Sequence, residues 1–207
     1  MSYTELPGAS AIRRTVEAVQ SRGVTVHLLE TKEDALPLLV SLIPDGATVM
    51  MGASVTLEQV GFVDVLKSGN HKWHNLKAEV AAERDPVKQT WLRKQATLAD
   101  YFLGSVHAIA ETGEIVVASA TGSQIAPYAY SSAHVIWVAG AQKITPTLDA
   151  ALRRVREHSF VLEDQRMRKA SGGSVGSTIA KVLIFEREGP LTRRSVTLLL
   201  VNEVLGY

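Results

Sequence analysis

Short apolar segments that alternate with amphipathic ones constrain the fold of this chain more than any other sequence feature. Residues 47–51 form one such apolar segment, set between a Pro-Asp-Gly turn and the small residues Gly52-Ala53-Ser54. A strand that is apolar on both faces is typical of a parallel sheet covered by helices on both sides. Residues 10–21 instead repeat their apolar side chains with the period of a helix. The alternation predicts a mostly parallel sheet flanked by helices.

The same patterns place the remaining elements along the chain. Three apolar segments between residues 101 and 119 are joined too tightly for helical crossovers, which predicts antiparallel pairing there. Residues 67–76 are polar and predicted to be irregular, whereas 78–99 is the longest helical segment, with Pro86 near a start or a kink. The predicted strands are 24–29, 47–51, 101–103, 106–110, 115–119, 135–139, 182–185 and 196–201, and further helices begin near Thr31, Thr56, 123, Thr145-Pro146 and 161.

Length and composition indicate one folded unit. The chain has 207 residues, of which 46% are hydrophobic, so it can bury a sizeable core. We expect a single domain over residues 1–207, with room for a helical insertion around 65–100. Residues 170–178 are rich in glycine and serine and are predicted to form a mobile loop.

Charge and residue content exclude several classes of function. The net charge of +1 provides no field that would attract nucleic acid or an anionic membrane. Cysteine is absent, which excludes disulfides, cysteine-ligated zinc and iron–sulfur clusters held by this chain alone. No apolar run reaches the roughly 20 residues that span a bilayer, and the first residues lack the pattern of a signal peptide. We therefore expect a soluble cytoplasmic protein with no metal site of its own.

Two turns with small polar residues follow predicted strands and are candidate binding sites. Gly52, Ser54 and Thr56 follow the strand at 47–51, with Glu58 close behind. In open α/β sheets, ligands bind beyond the carboxyl ends of the strands, and helix N-termini there bind anions. Ordinary helix capping, including a capping box of Thr56 with Gln59, would explain the same residues and stays open.

The second turn repeats this arrangement after the strand at 115–119. It comprises Thr121, Gly122, Ser123 and Gln124, and the planar amide of Gln124 is more than a cap requires. Capping alone remains an alternative here as well. If both turns lie at the same sheet edge, they face one crevice.

Glu111 is the first candidate for a catalytic acid, base or nucleophile, and Glu58 is the second. Glu111 opens the predicted hairpin turn Glu111-Thr112-Gly113-Glu114 at the end of an apolar strand. A carboxylate beside an apolar crevice has a raised pKa and can exchange protons or attack a substrate. A solvated acid in an exposed turn is the alternative.

One long block of the sequence resembles the lactate-utilisation (LUD) domain family, in particular its short stand-alone bacterial members. The block runs over residues 104–144, and weaker similarity covers nearly the whole chain. The motifs that carry the resemblance are Gly104-Ser105-Val106-His107-Ala108, Glu111-x-Gly113-Glu114, Ala118-Ser119-x-Thr121-Gly122-Ser123-Gln124, Tyr128-x-Tyr130 and Val135-Ile136-Trp137-Val138-x-Gly140-x-Gln142-Lys143-Ile144.

The resemblance implies a fold of the NagB/RpiA/CoA-transferase type, a three-layer α/β/α structure with a mixed, mostly parallel sheet. Related enzymes of this fold act on CoA esters, sugar phosphates or folate, and better-known LUD relatives belong to a lactate-oxidising complex with iron–sulfur partner subunits. This chain departs from those relatives, because Glu188-Gly189-Pro190 stands where they have His-Gly-Pro. They also carry an acid soon after a Ser-Gly-x-Ser loop, where this chain has Thr178-Ile179-Ala180-Lys181.

We therefore expect a LUD-domain protein linked to lactate or organic-acid oxidation that binds a small anionic metabolite, with a CoA- or nucleotide-like ligand also open. One alternative is a non-catalytic accessory subunit of an iron–sulfur or flavin redox complex. Another is an isomerase or an acyl- or CoA-transfer enzyme of the same fold, and a homo-oligomer is compatible with each. The expected ligand-binding residues are Gly52, Ser54, Thr56, Gly104, Thr121, Gly122, Ser123 and Gln124.

Overall fold

The structure is a computed structural model, and it describes residues 3–207. The helices are α1 (Ala9–Ser21), α2 (Ala35–Ser41), α3 (Val55–Gln59), α4 (Phe62–Ser68), α5 (Leu76–Ala82), α6 (Pro86–Gln95), α7 (Leu148–Arg154) and α8 (Phe160–Ala170). The strands are β1 (Thr25–Leu29), β2 (Thr48–Met51), β3 (His74–Asn75), β4 (Tyr101–Gly104), β5 (Ala108–Ala110), β6 (Ile115–Ser119), β7 (His134–Gly140), β8 (Ile144–Thr145), β9 (Lys181–Phe185) and β10 (Ser195–Val201).

Six of these strands form a central sheet in the order β1-β10-β7-β4-β2-β3, and every pairing in it is parallel. The strands β7 and β10 are almost wholly buried, as expected for strands covered on both faces. The predicted α/β class, a mostly parallel sheet flanked by helices, is confirmed. The remaining strands form a second sheet in the order β8-β5-β6-β9, in which β6 runs antiparallel to both neighbours.

The two faces of the central sheet pack against different layers. Helices α2, α3 and α4 cover one face, where Leu39, Leu57 and Phe62 bury their side chains. Helix α1 and the second sheet cover the other face, where Trp137 of β7 packs edge-on against Phe185 of β9. Helix α7 covers the far side of the second sheet. The cavity described below lies where these two sheets end.

Several predicted details in the first half of the chain are wrong. Strand β4 belongs to the parallel sheet and does not pair with β5, so one hairpin, β5–β6, accounts for the antiparallel prediction. The long helix predicted over 78–99 is divided, because Asp85 caps a new helix that starts at Pro86. The segment at 67–76 is not simply polar and irregular, since Trp73 is buried against Phe62 and residues 74–75 form β3.

One predicted helix cap and one predicted helix start are also wrong. Ser54, not Thr56, is the N-cap of α3, because its extended backbone lets its hydroxyl accept from the Leu57 amide at 3.2 Å. Thr56 lies inside the helix and its hydroxyl is free to contact other groups. The helix predicted to start at Thr145-Pro146 begins at Leu148, and Thr147 caps it. Within residues 3–207, none of the helices has both the length and the apolar character needed to cross a membrane.

Candidate functional site

A cavity of about 250 Å³ lies at the carboxyl ends of strands from both sheets. Two connections that pass from the central sheet to the second sheet run along its wall. Residues 105–107 join β4 to β5, and residues 141–143 join β7 to β8. The cavity therefore lies at the position where open α/β sheets bind ligands. Its polar lining includes Ser54, Thr56, Glu58, Ser105, His107, Ser119, Thr121, Ser123, Gln124, Lys143, Glu163, Arg166 and Tyr207.

Lys143 is the most unusual residue of this wall. The short turn Ala141–Lys143 after β7 directs its side chain inward, and the residue is 1% exposed. Its Nζ lies 3.2 Å from the Thr56 hydroxyl and 3.0 Å from the Ser105 hydroxyl. None of the ion pairs found within residues 3–207 includes this amine. Burial, assisted by the nearby charge of Arg154, lowers the pKa of Lys143 to about 7.

His107 is a neutral, fixed part of the same wall. Its Nδ1 accepts a hydrogen bond from the Ala118 amide at 3.2 Å, which places the proton of the neutral ring on Nε2. Burial, together with the charges of Lys143 and Arg154, lowers the pKa of His107 to about 3. Beneath it, the buried Arg154 donates to the His107 carbonyl and, at 3.0 Å, to the Ser159 hydroxyl. The imidazole therefore stays uncharged in neutral solution.

The cavity lining also includes an acid, Glu163, whose charge is already compensated. Two nitrogens of Arg166 donate to Glu163 at 2.7 and 2.8 Å, and the Tyr207 hydroxyl donates to the same carboxylate. Burial alone would raise the pKa of Glu163, but the hydrogen bonds from Arg166 and Tyr207 outweigh it and lower the pKa overall. Arg166 is thus largely neutralised, which leaves Lys143 as the lining cation without an acidic partner among the described residues.

The structure brings most of the predicted binding residues together. Gly52, Ser54 and Thr56 from the first turn line the cavity with Thr121, Ser123 and Gln124 from the second, and Glu58 lines it as well. The amide of Gln124 donates to the Ala118 carbonyl at 2.9 Å. A Cβ placed on Gly52 would lie 3.0 Å from the Gln124 Oε1. The two turns therefore meet in one crevice, with Thr121 and Ser123 exposed at its rim.

Glu111 does not belong to this cavity, and its predicted position there is wrong. The short hairpin β5–β6 has His107 and Ser119 at the cavity end, whereas its turn at residues 111–114 lies at the opposite end. There Glu111 pairs with Arg14 of α1 at 2.7 Å, on a surface where the Arg14 side chain is 60% exposed. Glu111 itself is 22% exposed, so it is an ion-paired acid of a surface turn and lies outside the crevice.

Gly104 and Gly122 also lie outside the cavity lining. A Cβ on Gly104 would fall 1.7 Å from the Tyr128 hydroxyl oxygen, so this glycine makes room for a buried tyrosine. Gly122 has φ of +89°, a left-handed backbone that a turn requires of glycine. Both positions therefore have structural reasons to be glycine.

Sequence reasoning missed Lys143, His107, Ser105 and the Glu163–Arg166 pair. Lys143 left a signal, because only Ala141 and Gln142 separate it from the apolar strand β7 and the apolar Ile144 follows it directly. Charged residues in such surroundings are rarely buried without a function. Glu163 and Arg166 gave no local signal, since they look like an ordinary (i, i+3) pair on an amphipathic helix.

A second cavity, of about 280 Å³, adjoins the first and shares Gly52, Ala53 and Ser123 with it. Its lining includes Lys77 of α5 and the apolar side chain of Phe102. Burial lowers the pKa of Lys77, and the nearby Glu58 partly opposes this change. Among the described residues, no three His, Asp or Glu side chains are grouped closely enough to hold a metal ion.

A parallel central sheet flanked by helices, with a polar cavity at its strand ends, defines an α/β protein with a small-molecule-sized site. The family model described as LUD domain matches residues 12–192, and the chain belongs to the LUD domain family. A solved structure of a DUF162 family protein from Deinococcus radiodurans has the same fold, with a TM-score of 0.53 and 12% sequence identity. The match covers 95% of this chain and 98% of that one. None of the curated proteins compared with the chain matches it.

Proposed function

We propose that this LUD-domain protein binds a small organic acid, of the hydroxy- or oxo-acid class, in the cavity next to Lys143. The observation that carries the proposal is the buried amine of Lys143, which contacts two hydroxyls and no carboxylate within the described chain. A buried ammonium without a counter-charge is costly, and a bound carboxylate would remove that cost.

The rest of the wall favours a small ligand with a single negative charge. Thr121 and Ser123 offer exposed hydroxyls at the rim, where they could hold the polar end of a ligand. Glu58 also lines the cavity and is absent from the ion pairs found within residues 3–207, so it would repel a second negative charge. The helix that follows Ser54 has five residues, so the field at its N-terminus is weak. A volume of about 250 Å³ suits a metabolite of a few carbon atoms better than a nucleotide.

The family relationship suggests the metabolic setting of this site. LUD-domain proteins are associated with lactate utilisation, and lactate oxidation needs an electron acceptor. The absence of cysteine means that this chain cannot itself ligate an iron–sulfur cluster through thiolates. We therefore place the protein beside a separate iron–sulfur or flavin partner, with this chain holding the organic acid.

Thermal unfolding in the presence of candidate ligands tests the proposal. Lactate, pyruvate and glyoxylate should raise the melting temperature, whereas acetyl-CoA and ribose 5-phosphate should have a smaller effect. A ligand at a hundred times its dissociation constant stabilises by about 2.7 kcal/mol, and about 1 kcal/mol corresponds to roughly 2–4 °C for a protein of this size.

Two substitutions distinguish binding at this cavity from binding elsewhere. Lys143→Met should abolish the shift caused by the acids. Glu111→Gln, which alters a surface ion pair outside the cavity, should preserve it. A shift with acetyl-CoA alone would instead support an acyl-transfer enzyme. No shift with any of the five compounds would contradict the proposal and favour an accessory subunit.

A further inference from the structure

The amine of Lys143 is arranged as a nucleophile. Its two hydrogen-bonding neighbours in the structure are the hydroxyl oxygens of Thr56 and Ser105. A neutral amine has two N–H donors and one lone pair. When both N–H groups donate to these two hydroxyl oxygens, the lone pair is left for a substrate. A lysine that served only to stabilise the fold would be expected to face a carboxylate or several backbone carbonyls.

The chain packs closely around this amine. Gly206 packs beside it, with its amide donating to the Gln59 side chain at 2.6 Å. A Cβ at Gly206 would lie 2.3 Å from the Thr56 hydroxyl oxygen and 3.3 Å from the Lys143 Nζ. A side chain at this position would therefore press on the amine and the hydroxyl next to it. Glycine at this position therefore preserves the hydrogen bond between Lys143 and the Thr56 hydroxyl.

The surroundings also favour the uncharged form of the amine. His107 is neutral, Arg154 lies close enough to repel a second positive charge, and burial disfavours the ammonium. Lysines that are desolvated or placed near another cation are the ones that form Schiff bases in enzymes. A substantial fraction of the amine is therefore unprotonated in neutral solution.

We propose that Lys143 forms a Schiff base with the carbonyl carbon of a small aldehyde or 2-oxo acid bound in this cavity. The amine lone pair attacks the carbonyl carbon to give a carbinolamine. The carbinolamine then loses its oxygen as water, with both protons coming from the amine, and a carbon–nitrogen double bond remains. No oxidant or reductant is needed. The inference rests on the proposed function, because the same cavity must first bind an oxo acid.

Neighbouring groups would assist this reaction. The Thr56 and Ser105 hydroxyls lie within hydrogen-bonding distance of Nζ and could bind the carbinolamine oxygen formed next to it. The carboxylate of a 2-oxo acid is bonded to its carbonyl carbon and would therefore stay close to Lys143, while the exposed hydroxyls of Thr121 and Ser123 could contact the outer part of the ligand at the rim. A hydroxy acid such as lactate has no carbonyl carbon to accept the amine and would bind without reacting.

Borohydride trapping tests the inference on the full chain. The protein is incubated with pyruvate or glyoxylate, reduced with sodium borohydride, and examined by intact mass and peptide mapping. We expect one adduct per chain on Lys143, more at pH 8 than at pH 6, and none with lactate. Lys143→Met and Lys143→Arg should both lose it. Lys77→Met should keep it, since Lys77 is a partly buried lysine of the adjoining cavity and serves as the matched control.

The result separates the two proposals. If pyruvate raises the melting temperature but borohydride traps nothing on Lys143, the Schiff base is refuted and the binding function stands. If pyruvate, glyoxylate and lactate all fail to bind and no adduct forms, both proposals fail. Adducts spread over many surface lysines, or retained in Lys143→Arg, would also overturn the inference, because they would show ordinary lysine reactivity.

Discussion

The protein should be more stable in mildly alkaline than in neutral solution because Lys143 is buried. Burial lowers its pKa from the ordinary 10.5 to about 7, so the unfolded chain binds this proton more tightly than the folded chain does. The free-energy penalty that Lys143 imposes on folding is fully present below pH 7 and disappears as the pH rises toward 10.5. A single group of this kind should raise the free energy of unfolding by about 2 kcal/mol between pH 7 and pH 9.

Urea unfolding at pH 7, 8 and 9 measures this effect, and Lys143→Met is the variant that should remove it. The variant deletes the charge cost but leaves the Thr56 and Ser105 hydroxyls without their partner, which costs about 1–3 kcal/mol for each buried group. We therefore expect Lys143→Met to be at least as stable as the wild type at pH 7 and less stable at pH 9.

The control is Lys77→Met, which should keep most of the rise with pH. The range stops at pH 9 because Arg154, with a pKa lowered to about 10, and the buried tyrosines titrate above it. Equal pH dependence in the wild type and Lys143→Met would refute the reasoning, since it would mean that the amine is solvated or paired in solution. Both proposals would then lose their main support.

Two further predictions concern residues next to this site. His107 has a pKa lowered to about 3 by burial, so its contribution to stability is complete above pH 6.5 and declines as the pH falls. The wild type should lose about 2 kcal/mol from this group by pH 5, and His107→Gln should have a flatter acid dependence in urea unfolding. Gly104→Ala should destabilise the protein by about 1–3 kcal/mol, because the new Cβ meets the Tyr128 hydroxyl. Adding Tyr128→Phe should recover part of that loss, and strictly additive effects would contradict the clash.

The α/β class could be predicted from the sequence because the pattern that indicates it lies within short segments of the chain. Wholly apolar strands such as 135–139, separated by amphipathic helices, leave few alternatives to a covered parallel sheet. The sequence was insufficient to place β4, because nothing local shows that Ser105–His107 carries the chain into a different sheet. Pairing between strands is a tertiary property, and a short connection does not guarantee a hairpin.

Part of the candidate site could be predicted because it also follows from local sequence features. The turns at 52–56 and 121–124 follow strands directly, and the general rule for strand ends brought them together correctly. The predicted position of Glu111 was wrong because a hairpin has two ends, and the sequence does not show which of them faces the crevice. Lys143 was overlooked because a lysine after an apolar strand normally marks the point where the strand reaches the surface. Only the structure shows that this lysine is buried.

The two connections that lead from the central sheet into the second sheet, residues 105–107 and 141–143, both line the cavity wall. Ser105 and His107 lie on one of these connections and Lys143 lies on the other. The distances from Lys143 to Ser105 and His107 therefore depend on how the two sheets stack. Side chains packed between the sheets, such as Trp137 against Phe185, therefore help to set the distance between the Lys143 amine and the Ser105 hydroxyl. Replacing one of these side chains by a smaller one should therefore change the reactivity of Lys143, although every residue that lines the cavity is unchanged.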